Sequence, residues 1–319
     1  MIATESSIAL ILPAYNEALT ISDTLHDFFQ FIPEARFIVI DNNSSDKTGE
    51  IARNVIDKLG ISGEVLYEQR QGKGNAVRKA FMEVDADIYV MADADTTYPA
   101  SHVKDMIAAV LNGEADMVVG DRHSGGHYSD QNKRNFHEIG NNLVKWMVNG
   151  LFKADLADIM SGYRVFSRRF VKNYPVLVSG FQIETDMSLH ALDKRFVIKE
   201  MPVTYQDRPE GSNSKLDTFG DGARVIFTIV QILRYYRPMI FFGFISFMFF
   251  LAGLIAGYPV IMDWILYKYI YHVPLAILAA GLEVSAILSL GIGLILDSIT
   301  HQNKMAFEHK LLSEKRKPE

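Results

Sequence analysis

Two carboxylates one residue apart, Asp93 and Asp95, directly follow the apolar run Ile88–Ala92 (IYVMA). Oxygen donors of this kind hold hard divalent cations, Mg2+ or Mn2+, and such ions usually bridge to phosphate oxygens. The same triplet occurs earlier as Asp85-Ala86-Asp87, but it precedes the apolar run and reads as a solvated turn. Position therefore singles out Asp93-Ala94-Asp95. Asp41 ends the run Phe37–Ile40 (FIVI) and offers an acceptor for a base edge or a ribose. Its alternative role is a helix cap, a job for which Ser44 and Asp46 compete. Pro13-Ala14-Tyr15-Asn16-Glu17 follows the first apolar run, Ile8–Leu12. Arg70-Gln71-Gly72-Lys73-Gly74-Asn75 sets glycines and a cation ahead of a helical pattern, where backbone amides and Lys73 suit a phosphate or a base. The GxxxxGK[ST] spacing of a Walker loop is absent.

These groups need a scaffold that brings them together. Short apolar runs at 8–12, 37–40, 64–68, 88–92 and 116–120 read as buried strands. Helical spacing occupies 18–31, 46–59, 74–84 and 103–111 between them. The alternation predicts an α/β domain built on a doubly wound, mostly parallel sheet. Ligands bind such sheets beyond the carboxyl ends of the strands, which is where the polar clusters fall. A further helix over about 133–152 carries the apolar stripe Ile139, Leu143, Trp146, Met147 and Leu151 amid Lys133, Arg134, Lys145 and Lys153. It fits either the membrane interface or the flank of the sheet.

The chain has 319 residues, 49% hydrophobic and 22% charged, with net charge −6 and no cysteine. That balance supports a packed core and argues against a nucleic-acid partner. Without cysteine there is no disulfide, thiolate metal site or thiol nucleophile. No basic stretch precedes the short run at 8–12, so no signal peptide is expected. The apolar residues are segregated. Met239–Tyr258 is 20 residues without a charge, and Val273–Leu296 is 24 residues with one, Glu283. About 20 helical residues cross a hydrocarbon core, so the two segments predict a transmembrane hairpin with linker 259–272. The expected organisation is a catalytic domain over 1–220, a basic juxtamembrane helix over 221–238, the hairpin over 239–297 and a basic tail over 298–319. Arg224, Arg234 and Arg237 before the hairpin and Lys304, Lys310, Lys315, Arg316 and Lys317 after it outweigh Lys268 in the linker. The positive-inside rule then puts the large domain and both termini in the cytoplasm, at the cell membrane. A carboxylate in mid-span faces protein rather than lipid, so Glu283 predicts pairing with Ser285 or a second copy of the chain in a homo-oligomer, or a protonated side chain donating to a backbone carbonyl.

LPAYNE, DNNSSDKT, RQGKGNAVRKA and DADTTYP, in that order and spacing, resemble the family 2 glycosyltransferases of GT-A fold. SGYR (Ser161–Arg164) and DRPEGSNSKL (Asp207–Leu216) are similar to the branch that transfers hexoses to polyprenyl phosphates, to which the dolichyl-phosphate mannose synthases and bacterial undecaprenyl-phosphate glucosyltransferases belong. The resemblance covers roughly 7–220. It implies that Pro13, Ala14, Tyr15, Glu17 and Asp41 cradle a nucleoside, and that Asp93 and Asp95 bind ribose, metal and diphosphate. It further implies that Arg208 and Lys215 approach the donor diphosphate and the lipid phosphate, and that Arg122 and Arg134 receive the acceptor phosphate. Family members often carry glutamine two residues after the second aspartate; this chain has Thr97, and SNSK replaces GESK.

The implied reaction is inverting transfer of one hexose from a nucleotide-diphosphate sugar, a UDP-sugar by analogy with the bacterial two-helix enzymes, to a membrane polyprenyl phosphate. In it Glu184 and Asp186 (ETD) orient the acceptor site. If the acceptor were a diacylglycerol-type hydroxyl, they would have to supply a base. A sugar nucleotidyltransferase would want a Gly-rich basic loop after the first strand, where this chain has PAYNE. A non-catalytic nucleotide-sugar sensor has no need of Asp93 and Asp95. Gln231–Tyr235 (QILRY) approaches the QxxRW of processive synthases and is read as a coincidence within a basic interfacial helix.

Overall fold

A computed structural model describes residues 6–124, 135–180, 182–206 and 221–314. The chain divides into two units, Met1–Phe219 and Gly220–Glu319.

The first unit alternates strand and helix: β1 (Ile8–Ala14), α1 (Ile21–Phe31), β2 (Arg36–Asp41), α2 (Thr48–Leu59), β3 (Gly63–Tyr67), α3 (Lys73–Glu83) and β4 (Ile88–Met91). There follow α4 (Val103–Leu111), β5 (Met117–Asp121), α5 (Asn135–Phe152), β6 (Arg164–Ser167), α6 (Arg168–Asn173), α7 (Ile183–Asp193) and β7 (Ile198–Pro202). The seven strands form one sheet in the order β3-β2-β1-β4-β6-β5-β7. All pairs are parallel except those of β6, which runs antiparallel to both β4 and β5. The doubly wound, mostly parallel sheet is therefore present, and the five expected strands sit where the apolar runs stand. β1, β4, β5 and the Phe37–Ile40 run of β2 are apolar on both faces because helices cover both, whereas β3 at the sheet edge is half-buried and carries Glu64. The core closes on Leu10, Leu12, Phe28, Phe37, Val39, Val90 and Val118.

The strand order reverses between β1 and β4, which makes a crevice beyond their carboxyl ends. PAYNE leaves β1 and DAD leaves β4 at that place. Asp85 and Asp87 lie at the other end of β4, where Asp85 pairs with Arg168 and Lys172 and Asp87 accepts from Ser7. In α5, Val144 and Val148 turn inward, whereas Leu143 and Trp146 stay exposed, Trp146 at 75%.

The second unit holds α8 (Asp221–Tyr236), α9 (Pro238–Tyr267) and α10 (Val273–Glu314). α9 and α10 are long and apolar enough to cross a membrane, and only 6% of either apolar stretch is buried, unlike a core helix of a soluble domain. The first apolar helix runs past its expected end at Tyr258: Pro259 lies inside it, and it stops where Lys268 turns left-handed at φ 54°. Proline removes one backbone donor, a loss that transmembrane helices accommodate. Asp263 is thus helical, and its Oδ2 accepts from the backbone of Tyr271 at 2.9 Å and of His272 at 3.0 Å, closing the hairpin turn. Glu283 lies against the bare Cα of Gly253, on the other arm of the same hairpin. Ser285 donates to the Gly281 carbonyl at 2.8 Å.

Candidate functional site

Three strand ends shape the crevice, and each loop has a residue in the left-handed region: Asn16 (φ 52°) after β1, Asn43 (φ 58°) after β2 and Thr96 (φ 61°) after β4. Asparagine tolerates that conformation, while a β-branched threonine there is strained. Side chains lock the loops together. Asn16 Oδ1 accepts from Ser45 N at 2.7 Å, and the Thr48 hydroxyl accepts from Glu17 N at 2.8 Å. Thr20 donates to the Ala94 carbonyl at 2.8 Å and stands 3.1 Å from the Glu17 carboxylate. The PAYNE and DAD loops are thereby joined across the switch point.

The competition to cap α2 is decided by Asp46, whose carboxylate accepts from both the backbone and the hydroxyl of Thr48. Asp41 is left in the crevice wall: its Oδ1 accepts from Ser44 N at 3.0 Å. Asn42, buried beside it, grips the next loop, donating to Arg70 O and accepting from Gly72 N, each at 2.7 Å. In that loop Arg70 clamps Glu68 through two hydrogen bonds, at 2.8 and 2.9 Å, and holds its carboxyl down at about 2. Gly72 (φ 125°) and Gly74 press against the carbonyls of Ser179 and Val178. A crossing of bare backbones is what the RQGKG glycines permit.

Lys73 opens α3, and its ammonium contacts Asp93 Oδ1 and, at 2.5 Å, Glu184 Oε1 in the first turn of α7. Burial alone would lower its pKa, but the two carboxylates outweigh burial and raise it, so the lysine stays charged. Beneath this cluster lies Gly162 of the SGYR segment: a Cβ there would stand 2.5 Å from Asp93 Oδ2 and 3.0 Å from Lys73 Nζ. Asp95 is buried, and its Oδ1 accepts from the Thr97 hydroxyl at 2.6 Å and the Thr97 backbone at 3.2 Å. Thr97 thus spends its hydroxyl and its N–H on the second aspartate.

The SGYR segment is fixed by Arg164, which is fully buried. Its guanidinium donates to Ile159 O and Ser161 O at 2.8 Å and to Ser188 Oγ on α7 at 3.0 Å. Next to it, Arg122 forms a bidentate pair with buried Asp158 at 2.7 and 2.9 Å. Those two residues, with His123, Asn142, Lys145 and Met160, line a small depression. The backbone N–H of Gln206 donates to Thr97 O at 3.0 Å, which puts Gln206 beside the DAD loop.

Pro13, Ala14, Tyr15, Glu17, Asp41, Asp93, Ala94 and Asp95 lie at the carboxyl ends of β1, β2 and β4, and Lys73 is the first residue of α3. Arg122 follows β5, beside the depression. Asp186 is held differently from Glu184, accepting the Tyr174 hydroxyl at 2.7 Å. Arg134, Arg208 and Lys215 lie outside the described residues. The partnership of Lys73 with Glu184 and the anchoring by Arg164 had no sequence signal of their own. Asp93 and Asp95 supply only oxygen donors, the class that suits Mg2+ or Mn2+. No group of three carboxylate or histidine side chains poised for a metal occurs among the described residues. A cation between Asp93 and Asp95 would therefore complete its shell with oxygens of a ligand, which fits a phosphate-bearing substrate.

Comparison with known proteins gives a consistent pattern. A family model described as glycosyl transferase family 2 matches residues 9–174. Among curated proteins, glycosyltransferase AglJ of Haloferax volcanii is 29% identical over 280 residues, spanning 88% of this chain and 89% of its own. A dolichyl-phosphate hexose transferase of the same organism is 26% identical, over 72% of this chain and 95% of its own. Among solved structures, glucosyl-3-phosphoglycerate synthase of Mycobacterium tuberculosis, crystallised with Mn2+, UDP-glucose and phosphoglyceric acid, is similar in fold. It has TM-score 0.56 and 21% identity, and the match covers 72% of this chain and 79% of the other.

Proposed function

The chain belongs to glycosyl transferase family 2 and is a glycosyltransferase, and from that premise we propose that it transfers one hexose from a nucleotide-diphosphate sugar to a membrane polyprenyl phosphate. The observation that carries the reading is the meeting of Asp41, Asp93, Asp95 and Lys73 around the β1/β4 crevice in a chain that also has two bilayer-length helices. The dolichyl-phosphate hexose transferase relative supports the lipid-phosphate acceptor. The Mn2+ and UDP-glucose bound by the fold neighbour support a metal and a UDP-sugar.

In this reading Asp41 and the PAYNE loop hold the nucleoside. Asp93 and Asp95 hold Mg2+ or Mn2+, which supplies Lewis-acid stabilisation of the leaving diphosphate. Arg208 reaches the same diphosphate, while Arg122, Arg134 and Lys215 receive the acceptor phosphate. A lipid phosphate carries charge near neutrality, its second pKa being roughly 6. Its oxygen attacks the anomeric carbon, the bond from that carbon to the diphosphate breaks, and the electron pair leaves with the nucleotide. Configuration inverts, and no protein base is required. The carboxylates agree with this: Glu184 is occupied by Lys73, and Asp186 orients through Tyr174. A hydroxyl acceptor would need one of them free to take a proton.

The exposed Leu143 and Trp146 of α5 lie at the bilayer surface, and the catalytic unit lies on the cytoplasmic side of the cell membrane. The test incubates the purified full chain with undecaprenyl phosphate and radiolabelled nucleotide sugars, with and without EDTA. Lipid-soluble label that EDTA abolishes and Mn2+ or Mg2+ restores is expected, with UDP-sugars the best donors. No lipid-soluble label from any donor would overturn the proposal.

A further inference from the structure

Lys73 is the buried cation nearest the carboxylates described above. Its side chain is only 9% exposed, its ammonium lies between Asp93 and Glu184, and the Gly162 face closes one side. Those three charged groups come from α3, the end of β4 and α7, elements far apart in sequence. One ammonium faces two carboxylates, and Asp95 stands two residues further along the same loop. A divalent cation approaching Asp93 without a nucleotide meets a positive charge already in contact with that carboxylate. A nucleoside diphosphate changes the balance, because its phosphates bring two or three negative charges to the same place.

We propose that Lys73 is a positioning residue that reserves Asp93 and Asp95 for a cation arriving together with a nucleotide diphosphate, while tying that site to α7 through Glu184. The inference rests on the reading that Asp93 and Asp95 hold the metal, and goes beyond it in stating what controls occupancy. Coupling of this kind is reciprocal: the nucleotide tightens the cation and the cation tightens the nucleotide by the same factor. When the lysine charge is removed, the cation depends on the nucleotide only through the oxygens the diphosphate lends to its shell, so the coupling weakens.

The experiment titrates Mn2+ into the full chain in detergent and reads free Mn2+ by electron paramagnetic resonance, so no turnover is involved. In the wild type, UDP tightens Mn2+ binding at least tenfold. In Lys73→Met, Mn2+ binds at least tenfold tighter than to the wild type without UDP, and the tightening by UDP is at least threefold smaller than in the wild type. Lys73→Arg keeps the charge and retains the wild-type dependence on UDP. Because Lys73→Met leaves two carboxylates without their cation, Lys73→Met with Glu184→Gln is the second variant, with the same tightening expected. Mn2+ affinity without UDP unchanged in both methionine variants overturns the proposal, as does an arginine variant that behaves like methionine. A wild type that takes up no Mn2+ even with UDP removes the metal reading itself, and this inference with it.

Discussion

Gly162→Ala probes how tightly the crevice floor is fitted. Gly162 lies outside the left-handed region, so alanine adds no backbone strain; what it adds is one methyl group. That carbon would sit 2.5 Å from Asp93 Oδ2 and 3.0 Å from both Asp93 Cγ and Lys73 Nζ, against 3.4 Å or more for ordinary contact. The carboxylate must retreat by about an ångström. Asp93 has a short side chain and is paired with Lys73, so it cannot yield without moving the ammonium and its contact with Glu184. Displacement of a catalytic group by about 1 Å costs on the order of 100-fold in rate, or about 2.7 kcal/mol of transition-state stabilisation. The assay is initial-rate transfer of labelled hexose to polyprenyl phosphate, with the thermal midpoint measured in parallel. kcat/KM should fall about 100-fold while the midpoint moves by only a few degrees. Wild-type kcat/KM in the alanine variant would refute the placement of Asp93 over Gly162.

Other expectations follow from the same geometry. Arg164→Ala takes the side-chain donor from the buried Ser161 carbonyl and one donor each from Ile159 O and Ser188 Oγ, which keep their contact with each other; an unsatisfied buried group costs about 1–3 kcal/mol, so urea denaturation should show a loss of about that size. Arg70 holds the Glu68 carboxyl at about 2, below the ordinary 4.5. The stabilisation from that pair is complete above pH 4.5 and lost as pH falls towards 2. The midpoint difference between wild type and Glu68→Gln should therefore shrink over that interval and be flat above it. The chain has two tryptophans, so Trp264→Phe leaves Trp146 as the sole reporter. Brominated lipids should quench it if α5 lies on the bilayer, and unchanged emission would take α5 off the membrane surface.

Sequence and structure agree best where one residue type determines the outcome. Runs such as IALIL and FIVI have no polar face, so they form central strands of a covered sheet. β6 escaped notice because it is short and begins with Arg164, and a charged residue argues against a central strand until its buried partners are known. The DAD pair was legible by position, since it follows an apolar strand, and the DAD at 85–87 precedes one. The partner of Lys73 was not legible, because Glu184 is 111 positions away and only the passage of Val178-Ser179, just ahead of α7, over Gly72 and Gly74 brings it near. Glu184 and Asp186 illustrate a local limit too. Residues two apart on a helix point to different sides, so a single motif delivers one carboxylate to the lysine and the other to Tyr174. Asp263 looked like a linker charge because Pro259 resembled a boundary, but the helix tolerates the proline and the aspartate closes the turn.

The length of α10 carries its own consequence. At 1.5 Å per residue its 42 residues extend about 63 Å, roughly double the hydrocarbon thickness. If the apolar part to Leu296 crosses the bilayer, the remaining turns continue as a stiff rod about 27 Å long. Any molecule gripping the end of that rod is kept at a fixed stand-off from the lipid, on a strut instead of a tether.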